Sequence, residues 1–295
     1  MEDRERRALR SAWAAVAACA LLALAHAWGC GGGAVPAGKL PVAVSIPPLA
    51  DLVAEVGGDE VAVTILVPPG ASPHTFEPTP SQLREVGRCR LLVLNGLGLE
   101  YWADKVAAAV ASPDLIVVDT SRRVETLDGN PHVWLDPRNA VLQAEEIRDA
   151  LVQADPARRS EYEANAAAFA RDMEALDRES RERVAGWSRR SFVSLHPAWS
   201  YLARRYGLEE AAVIETSPGR EPSASEMVAI VEACRRSGAA AVFAEPQLSQ
   251  KAARVLAEEA GVPVVLLDPL GPGKGKGGYR DLIMDVIAGM EGALR

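Results

Sequence analysis

The side chains in this sequence best suited to coordination chemistry are three histidines set far apart, His74, His132 and His196; the chain has four in all, and the fourth, His26, falls in an N-terminal segment treated separately below. Each of the three stands next to a proline, in Pro73-His74, Pro131-His132 and His196-Pro197. Each also lies in a loop at or after the end of a strand-like apolar run. A single loop histidine is more often a surface or capping residue than a ligand. Three of them in equivalent places shift the reading towards a shared site, and a neighbouring proline stiffens the backbone that must hold ligand geometry. Asp268 follows by the same positional rule, directly after the apolar run 262–267. Three neutral imidazoles and one carboxylate suit a borderline divalent cation such as Zn2+, in tetrahedral or slightly expanded geometry. Glu245, in Ala244-Glu245-Pro246, occupies a similar place and reads as a hydrogen-bonding partner to a ligand or as a helix cap.

Positioning these groups requires the alternation of strands and helices that the chain displays. In the first half, apolar strand-like runs at 42–46, 61–67, 91–94 and 115–118 alternate with helical patterns at 49–56, 80–87, 101–111 and 137–154. The second half repeats the scheme, with strands at 192–195, 211–214, 241–244 and 262–267 and helices at 198–206, 223–236, 249–260 and 279–290. Such alternation predicts an α/β fold of two lobes, each a parallel sheet flanked by helices, and open sheets of that kind bind ligands at the carboxyl ends of their strands. Between the halves, residues 156–187 hold no glycine before Gly186 and no proline after Pro156. With Asp155 as a candidate N-cap and Pro156 at the first turn, this predicts one long helix of about 45 Å at 1.5 Å per residue. Its apolar residues do not read as a heptad seam, so it is expected to be a rigid connecting helix and not a coiled-coil dimer element. Two ligands would come from each lobe, placing the metal site in the cleft between them.

The N-terminus reads differently. Arg4, Arg6, Arg7 and Arg10 precede an apolar run at 13–28 that ends in Gly29-Cys30, the order of an export signal. The run is short for a permanent span, which takes about 20 residues. Cys30 and the following Gly31-Gly32-Gly33 resemble a bacterial lipobox with its tether, in which the cysteine thiol is lipidated and anchors the protein to the membrane. The match departs from the usual pattern at Ala27, where leucine is common, and at Trp28, which is bulky for its place. A plain secretory peptide cut near Ala27 is the alternative. The expected organisation is signal peptide 1–29, lipidated cysteine and flexible linker 30–39, N-terminal lobe 40–154, connecting helix 155–188 and C-terminal lobe 189–295.

Bulk properties are those of a soluble globular protein able to bury a large core. The chain has 295 residues, 48% of them hydrophobic and 24% charged, which is enough to build two ordinary domains around a substantial core. A formal charge of −8 argues against a nucleic-acid partner, because a phosphate-binding surface needs a cationic patch. Cys89 and Cys234 have no CxxC spacing and read as buried small hydrophobes. The Lys- and Gly-rich stretch 271–278 lacks GxxxxGK[ST] and reads as a surface loop.

Several segments together resemble the zinc- and manganese-binding family of bacterial ABC-importer solute-binding lipoproteins: Pro73-His74-Thr75-Phe76-Glu77-Pro78, Asn95-Gly96-Leu97-Gly98-Leu99-Glu100, Asn130-Pro131-His132-Val133-Trp134-Leu135-Asp136-Pro137, Tyr206-Gly207-Leu208 and Leu266-Leu267-Asp268-Pro269-Leu270. The resemblance runs from about Lys39 to the C-terminus. It implies two α/β lobes joined by one long backbone helix, with metal ligands at His74, His132, His196 and Asp268. It also implies a transported Zn2+ or Mn2+, a permease of an ABC importer as partner, a periplasmic or extracytoplasmic location and a monomer. Relatives often carry His-Asp-Ala-Phe where this chain has His196-Pro197-Ala198-Trp199, so support for His196 must come from elsewhere. Zinc-specific relatives often carry a long His- and Asp-rich loop before the second ligand; here 119–131 is short and has no histidine, so no auxiliary zinc site is expected. Histidine at 196, where manganese-binding relatives frequently have glutamate, favours zinc.

Two other functions compete. An exported zinc hydrolase would keep three histidine ligands, an open position for water and Glu245 as base, but HExxH and GxSxG are both absent. A metal-binding adhesin or chaperone would keep the site and change the task. If the histidines titrate as free ones do, metal affinity should fall as pH drops through about 6.5.

Overall fold

The structure, a computed structural model, describes residues 38–217, 219–271 and 278–295. The expected signal peptide, Cys30 with its tether, and the interior of the 271–278 stretch lie outside the described residues.

Two four-stranded parallel sheets carry the fold. The first has strands β1 (Leu40–Val44), β2 (Val61–Ile65), β3 (Leu91–Leu94) and β4 (Ile116–Asp119) in the order β2-β1-β3-β4. The second repeats the arrangement with β5 (Ser191–Ser194), β6 (Glu209–Val213), β7 (Val242–Ala244) and β8 (Val264–Leu266) in the order β6-β5-β7-β8. Parallel strands need crossovers, and helices supply them on both faces, so the inner strands are buried on both sides. Leu91-Leu92-Val93-Leu94 and Ser191-Phe192-Val193-Ser194 are buried throughout.

Around the first sheet pack α1 (Pro47–Gly57), α2 (Pro80–Val86), α3 (Ala103–Val110) and α4 (Pro137–Ala154). A capping box fixes the start of α2: Gln82 N donates to Thr79 Oγ1 while Gln82 Oε1 accepts from Thr79 N. Gln82 Nε2 also donates to Leu66 O, at 2.6 Å, which ties that helix to the end of β2 and braces the His74 loop between them. Around the second sheet pack α6 (Ser200–Tyr206), α7 (Ala224–Ser237), α8 (Lys251–Ala260) and α9 (Gly278–Leu294).

The long connecting element starts differently from the expectation. Pro156–Arg158 is a short 3-10 turn, and the regular helix α5 runs Arg159–Ala185, about 40 Å long at 1.5 Å per residue. Asp155 does not cap it through a backbone N–H; its carboxylate instead accepts from Arg158 Nη1 at 2.5 Å. Its buried face also departs from the sequence reading. Tyr162, Ala166, Phe169, Met173, Leu176 and Ser180 are buried in steps of four and three residues, which is heptad spacing. The seam is satisfied within the chain: Tyr162, Phe169, Met173 and Leu176 join a core cluster with Leu49 and Val53 of α1, Ile147 and Leu151 of α4, and Ile283 and Met290 of α9. That cluster also includes Val93 of the first sheet and Phe243 of the second, so one continuous apolar core runs through both halves. Cys234 is buried as expected, whereas Cys89 is only half-buried; both are free thiols.

Candidate metal centre

The carboxyl ends of the strands supply every candidate group. His74 lies in a turn beyond β2, His132 beyond β4, His196 two residues beyond β5, Glu245 directly after β7 and Asp268 two residues beyond β8.

Three of these groups meet. His132 Nε2 stands 3.2 Å from His74 Nε2 and 3.0 Å from His196 Nε2. Ligand atoms of all three histidines lie within 4.8 Å of one another, the one such group among the described residues. The rings do not stack: His196 meets His132 at 77° and His74 at 82°, so the edges bearing the nitrogens face a common point. His132 and His196 are buried and His74 is half-buried. Burial, with the neighbouring His196, lowers the His74 pKa to about 4. His132 is pushed well below the ordinary histidine value by burial, then by His196 and His74. Both rings are therefore neutral at physiological pH, the form that coordinates a cation.

The far nitrogen of one ring is engaged in a way that fixes its tautomer, and that of a second stands close to a carboxyl group. His132 Nδ1 lies 2.7 Å from Asn130 Oδ1, an acceptor only, so Nδ1 carries the proton and Nε2 presents its lone pair to the cluster. The same oxygen accepts from His132 N at 3.0 Å. His196 Nδ1 lies 3.1 Å from Glu245 Oε1. That pair is close but poorly aligned, and the Glu245 carboxyl is also approached by its own backbone N–H. Burial pushes the Glu245 carboxyl up, against the pull of His196. Glu245, directly after β7, thus places a carboxyl beside His196, whose following residue is Pro197.

Asn130 was legible only as part of a motif, and the structure gives it a second task. Its Nδ2 donates to Pro197 O at 2.6 Å and to Ser200 Oγ at 3.3 Å, so one amide orients His132 and fastens its loop to the His196 loop of the other half. Tyr201 OH donates to Asn130 O at 2.8 Å and accepts from Leu127 N at 3.0 Å, adding a second tie. On the other side, Trp134 Nε1 donates to Pro269 O at 2.7 Å and Tyr279 OH to Trp134 O at 2.6 Å. Beneath the His132 loop, Asn95 Nδ2 donates to Pro131 O at 2.8 Å, and Gln143 Nε2 donates to Thr120 Oγ1 at 2.8 Å and Asn95 Oδ1 at 3.2 Å. Glu100 completes this buried network by accepting from Asn95 N and Gly96 N at 2.8 and 3.0 Å.

Asp268 is not in the group. Its Oδ1 accepts from Gln247 Nε2 at 2.7 Å and from Leu270 N at 2.9 Å. The cavity beside the histidines is walled by His74, His132, His196, Glu245, Gln247, Pro269 and Leu270, so Asp268 reaches it only through its neighbours Gln247, Pro269 and Leu270. The cluster has a second approach from a cleft lined by Asp128, Asn130, Pro197, Ser200, Thr216 and Ser217. Among the described residues, no helix is long and apolar enough to cross a membrane.

Comparison with known proteins fits this geometry. The family described as "Zinc-uptake complex component A periplasmic" matches residues 42–293. A putative metal-binding protein of Treponema pallidum is 32% identical over 77% of this chain and 78% of its own length. The zinc-binding lipoprotein AdcA of Streptococcus pneumoniae is 30% identical over 79% of this chain, which spans 50% of that protein. The iron-binding protein YfeA of Yersinia pestis is 30% identical over 80% of each chain. Among solved structures, a crystal structure of ZnuA superposes with a TM-score of 0.76 at 35% identity, covering 85% of this chain and 96% of that one.

Proposed function

The chain belongs to the family of zinc-uptake complex component A, whose members are transport binding proteins and not enzymes, and from that premise we propose that it captures a divalent transition metal, zinc in preference to manganese, for delivery to an ABC importer. The observation that carries this reading is the convergence of three imidazole nitrogens at 3.0 and 3.2 Å about His132 Nε2. Tetrahedral zinc with Zn–N of about 2.0–2.1 Å spaces its nitrogens about 3.3–3.4 Å apart. Both separations from His132 Nε2 are therefore within a few tenths of an ångström of what the ion requires, and the three ligand atoms all lie within 4.8 Å of one another. Without a cation, inward-facing lone pairs at this spacing have little to hold them together beyond packing and the bonds behind the rings.

In this reading the ion sheds water as it enters, is held by His74 and His132 from one half and His196 from the other, and gains Asp268 as the fourth ligand when that carboxylate turns inward. Neutral nitrogens and one carboxylate suit zinc better than manganese, which prefers oxygen. Relatives bind different ions: AdcA is a zinc-binding protein and YfeA an iron-binding one, and a neighbouring solved structure holds Ni2+. The family alone therefore does not choose the metal, and the preference for zinc in this reading rests on the donor set. Glu245 stands 3.1 Å from His196 Nδ1, and in this reading it supports that ligand and does not serve a hydrolytic water as base. Export, lipidation at Cys30, the boundaries of the lobes, a monomeric state and a permease partner complete the proposal. Metal analysis of the purified chain, followed by zinc and manganese titrations in one chelator competition series, tests the choice of ion. Equimolar zinc held more tightly than manganese is expected; manganese recovered in place of zinc, and held as tightly, would overturn it.

A further inference from the structure

The fourth candidate ligand, Asp268, is held by Gln247, a side chain that lines the histidine cavity. Gln247 Nε2 donates to Asp268 Oδ1 at 2.7 Å. Gln247 follows Glu245 by two residues at the end of β7, and its own Oε1 is buried with no partner among the described residues. A primary amide that leaves its carbonyl unpaired while spending its N–H on a carboxylate is oriented by that carboxylate alone.

The backbone around Asp268 is meanwhile fixed. Leu267 N donates to Ala244 O at 2.9 Å, and Pro269 O accepts from Trp134 Nε1 at 2.7 Å. Any exchange of partners must therefore be a side-chain rotation, with the backbone staying where it is. Leu270 N, also on Asp268 Oδ1 at 2.9 Å, is a local turn contact that a rotated carboxylate can exchange for its other oxygen.

We propose that Gln247 is a release-setting residue: its amide competes with the bound cation for Asp268, so it weakens capture and speeds delivery. This rests on the reading of Asp268 as the fourth ligand. When the cation takes the carboxylate, the Gln247 bond is lost; when Gln247 recovers it, the ion is left on three neutral imidazoles and departs faster. A hydrogen bond to a charged group contributes about 1.5–3 kcal/mol, so its loss on binding corresponds to tenfold or more in affinity.

The test is a double-mutant cycle on the full chain with zinc as the probe. Gln247→Leu should tighten zinc about tenfold and slow its dissociation by a similar factor, and Gln247→Ala, which breaks the bond without added bulk, should act in the same direction. In an Asp268→Ala background neither substitution should change zinc affinity. Thermal melting of each metal-free variant checks that the fold persists. If Asp268→Ala weakens zinc but Gln247→Leu and Gln247→Ala leave affinity and dissociation unchanged, the competition is overturned while the four-ligand site stands. If Asp268→Ala itself leaves zinc affinity unchanged, the fourth-ligand reading fails and the competition fails with it. An equal effect of Gln247→Ala with and without Asp268 would make Gln247 a packing residue only.

Discussion

His74 and His132 do not behave as free histidines, and the pH response of the site follows from that. A free imidazole is half-protonated near 6.5. His74 is held to about 4 and His132 is displaced in the same direction, both chiefly by burial. Protons therefore compete with the metal at lower pH than ordinary histidines predict. The proton competition that His74 contributes should lie below about pH 5, read as the difference between the chain and His74→Gln in zinc titrations against a chelator calibrated at each pH. A His74-dependent fall centred on 6.5 would contradict the burial argument. For the metal-free protein the sign is set by the unfolded chain, which takes up protons near 6.5 while the native state resists until about 4. The unfolded state binds more protons in that window, so stability is full above 6.5 and is lost as pH falls through it. Denaturant melts across pH 4–7 of chelator-treated protein should show the slope, and His74→Gln should flatten part of it.

Asn130 belongs to the same scale. Asn130→Ala should weaken zinc about 10- to 100-fold, because His132 loses the acceptor that fixes its tautomer. Asn130→Asp keeps that acceptor but loses the N–H bonds to Pro197 O and Ser200 Oγ, and should fall between the two. The three histidines were legible because each stands in a proline-flanked loop after a strand. The role of Asn130 was not, since it depends on a carbonyl 67 residues away in sequence. Glu245 was legible as a partner to a ligand, and Asp268 as a strand-end carboxylate, but no sequence pattern shows that Gln247 holds it.

At the scale of elements, most boundaries followed from apolar runs and breakers. β3 (Leu91–Leu94) and α4 (Pro137–Ala154) match their sequence reading to the residue, since β3 is apolar throughout and α4 opens on Asp136-Pro137. Strand ends were overrun at Val67 and Leu267, where the chain stays buried and still bonds to its neighbour through Val67 N to Ser45 O and Leu267 N to Ala244 O, past the regular ladder. The seam of α5 was missed because Ala166 and Ser180 carry little apolar signal, yet both are buried. Gly96 shows how tightly a junction can be specified: its φ is 91°, and a Cβ there would stand 2.1 Å from Asp119 Oδ1. Gly96→Ala should lower stability by more than about 1 kcal/mol in urea melts. Asp51 on α1 acts in the opposite direction to the histidines. Burial and the neighbouring Glu55 raise its pKa to about 6, so the folded state holds a proton that the unfolded chain has released. Its effect is unfavourable above pH 6 and fades as pH falls towards 4. Asp51→Asn should therefore raise the melting temperature at pH 8 and leave it nearly unchanged at pH 4.

For the whole molecule, the shared core and the ties across the site make one prediction. A cluster that contains Val93, Phe169, Phe243 and Met290 links both sheets to the long helix. The described body should therefore unfold in one transition with zinc and without it. Zinc at a thousandfold excess over its dissociation constant should add about 4 kcal/mol to stability, because it binds the folded chain alone. Two resolved transitions in calorimetry would show that the halves unfold separately. The paired α/β architecture was readable from alternation, because every parallel strand needs a crossover. The continuity of the core was not, since it depends on which faces meet.

The central claim is that His74, His132 and His196 hold one metal ion together, and the most direct measurement is isothermal titration of zinc into the chelator-stripped chain beside His132→Ala. One equivalent bound, with affinity lowered by orders of magnitude in a variant that still melts cooperatively, is the predicted result. Equal affinity and stoichiometry in the variant would mean that the ion is held elsewhere.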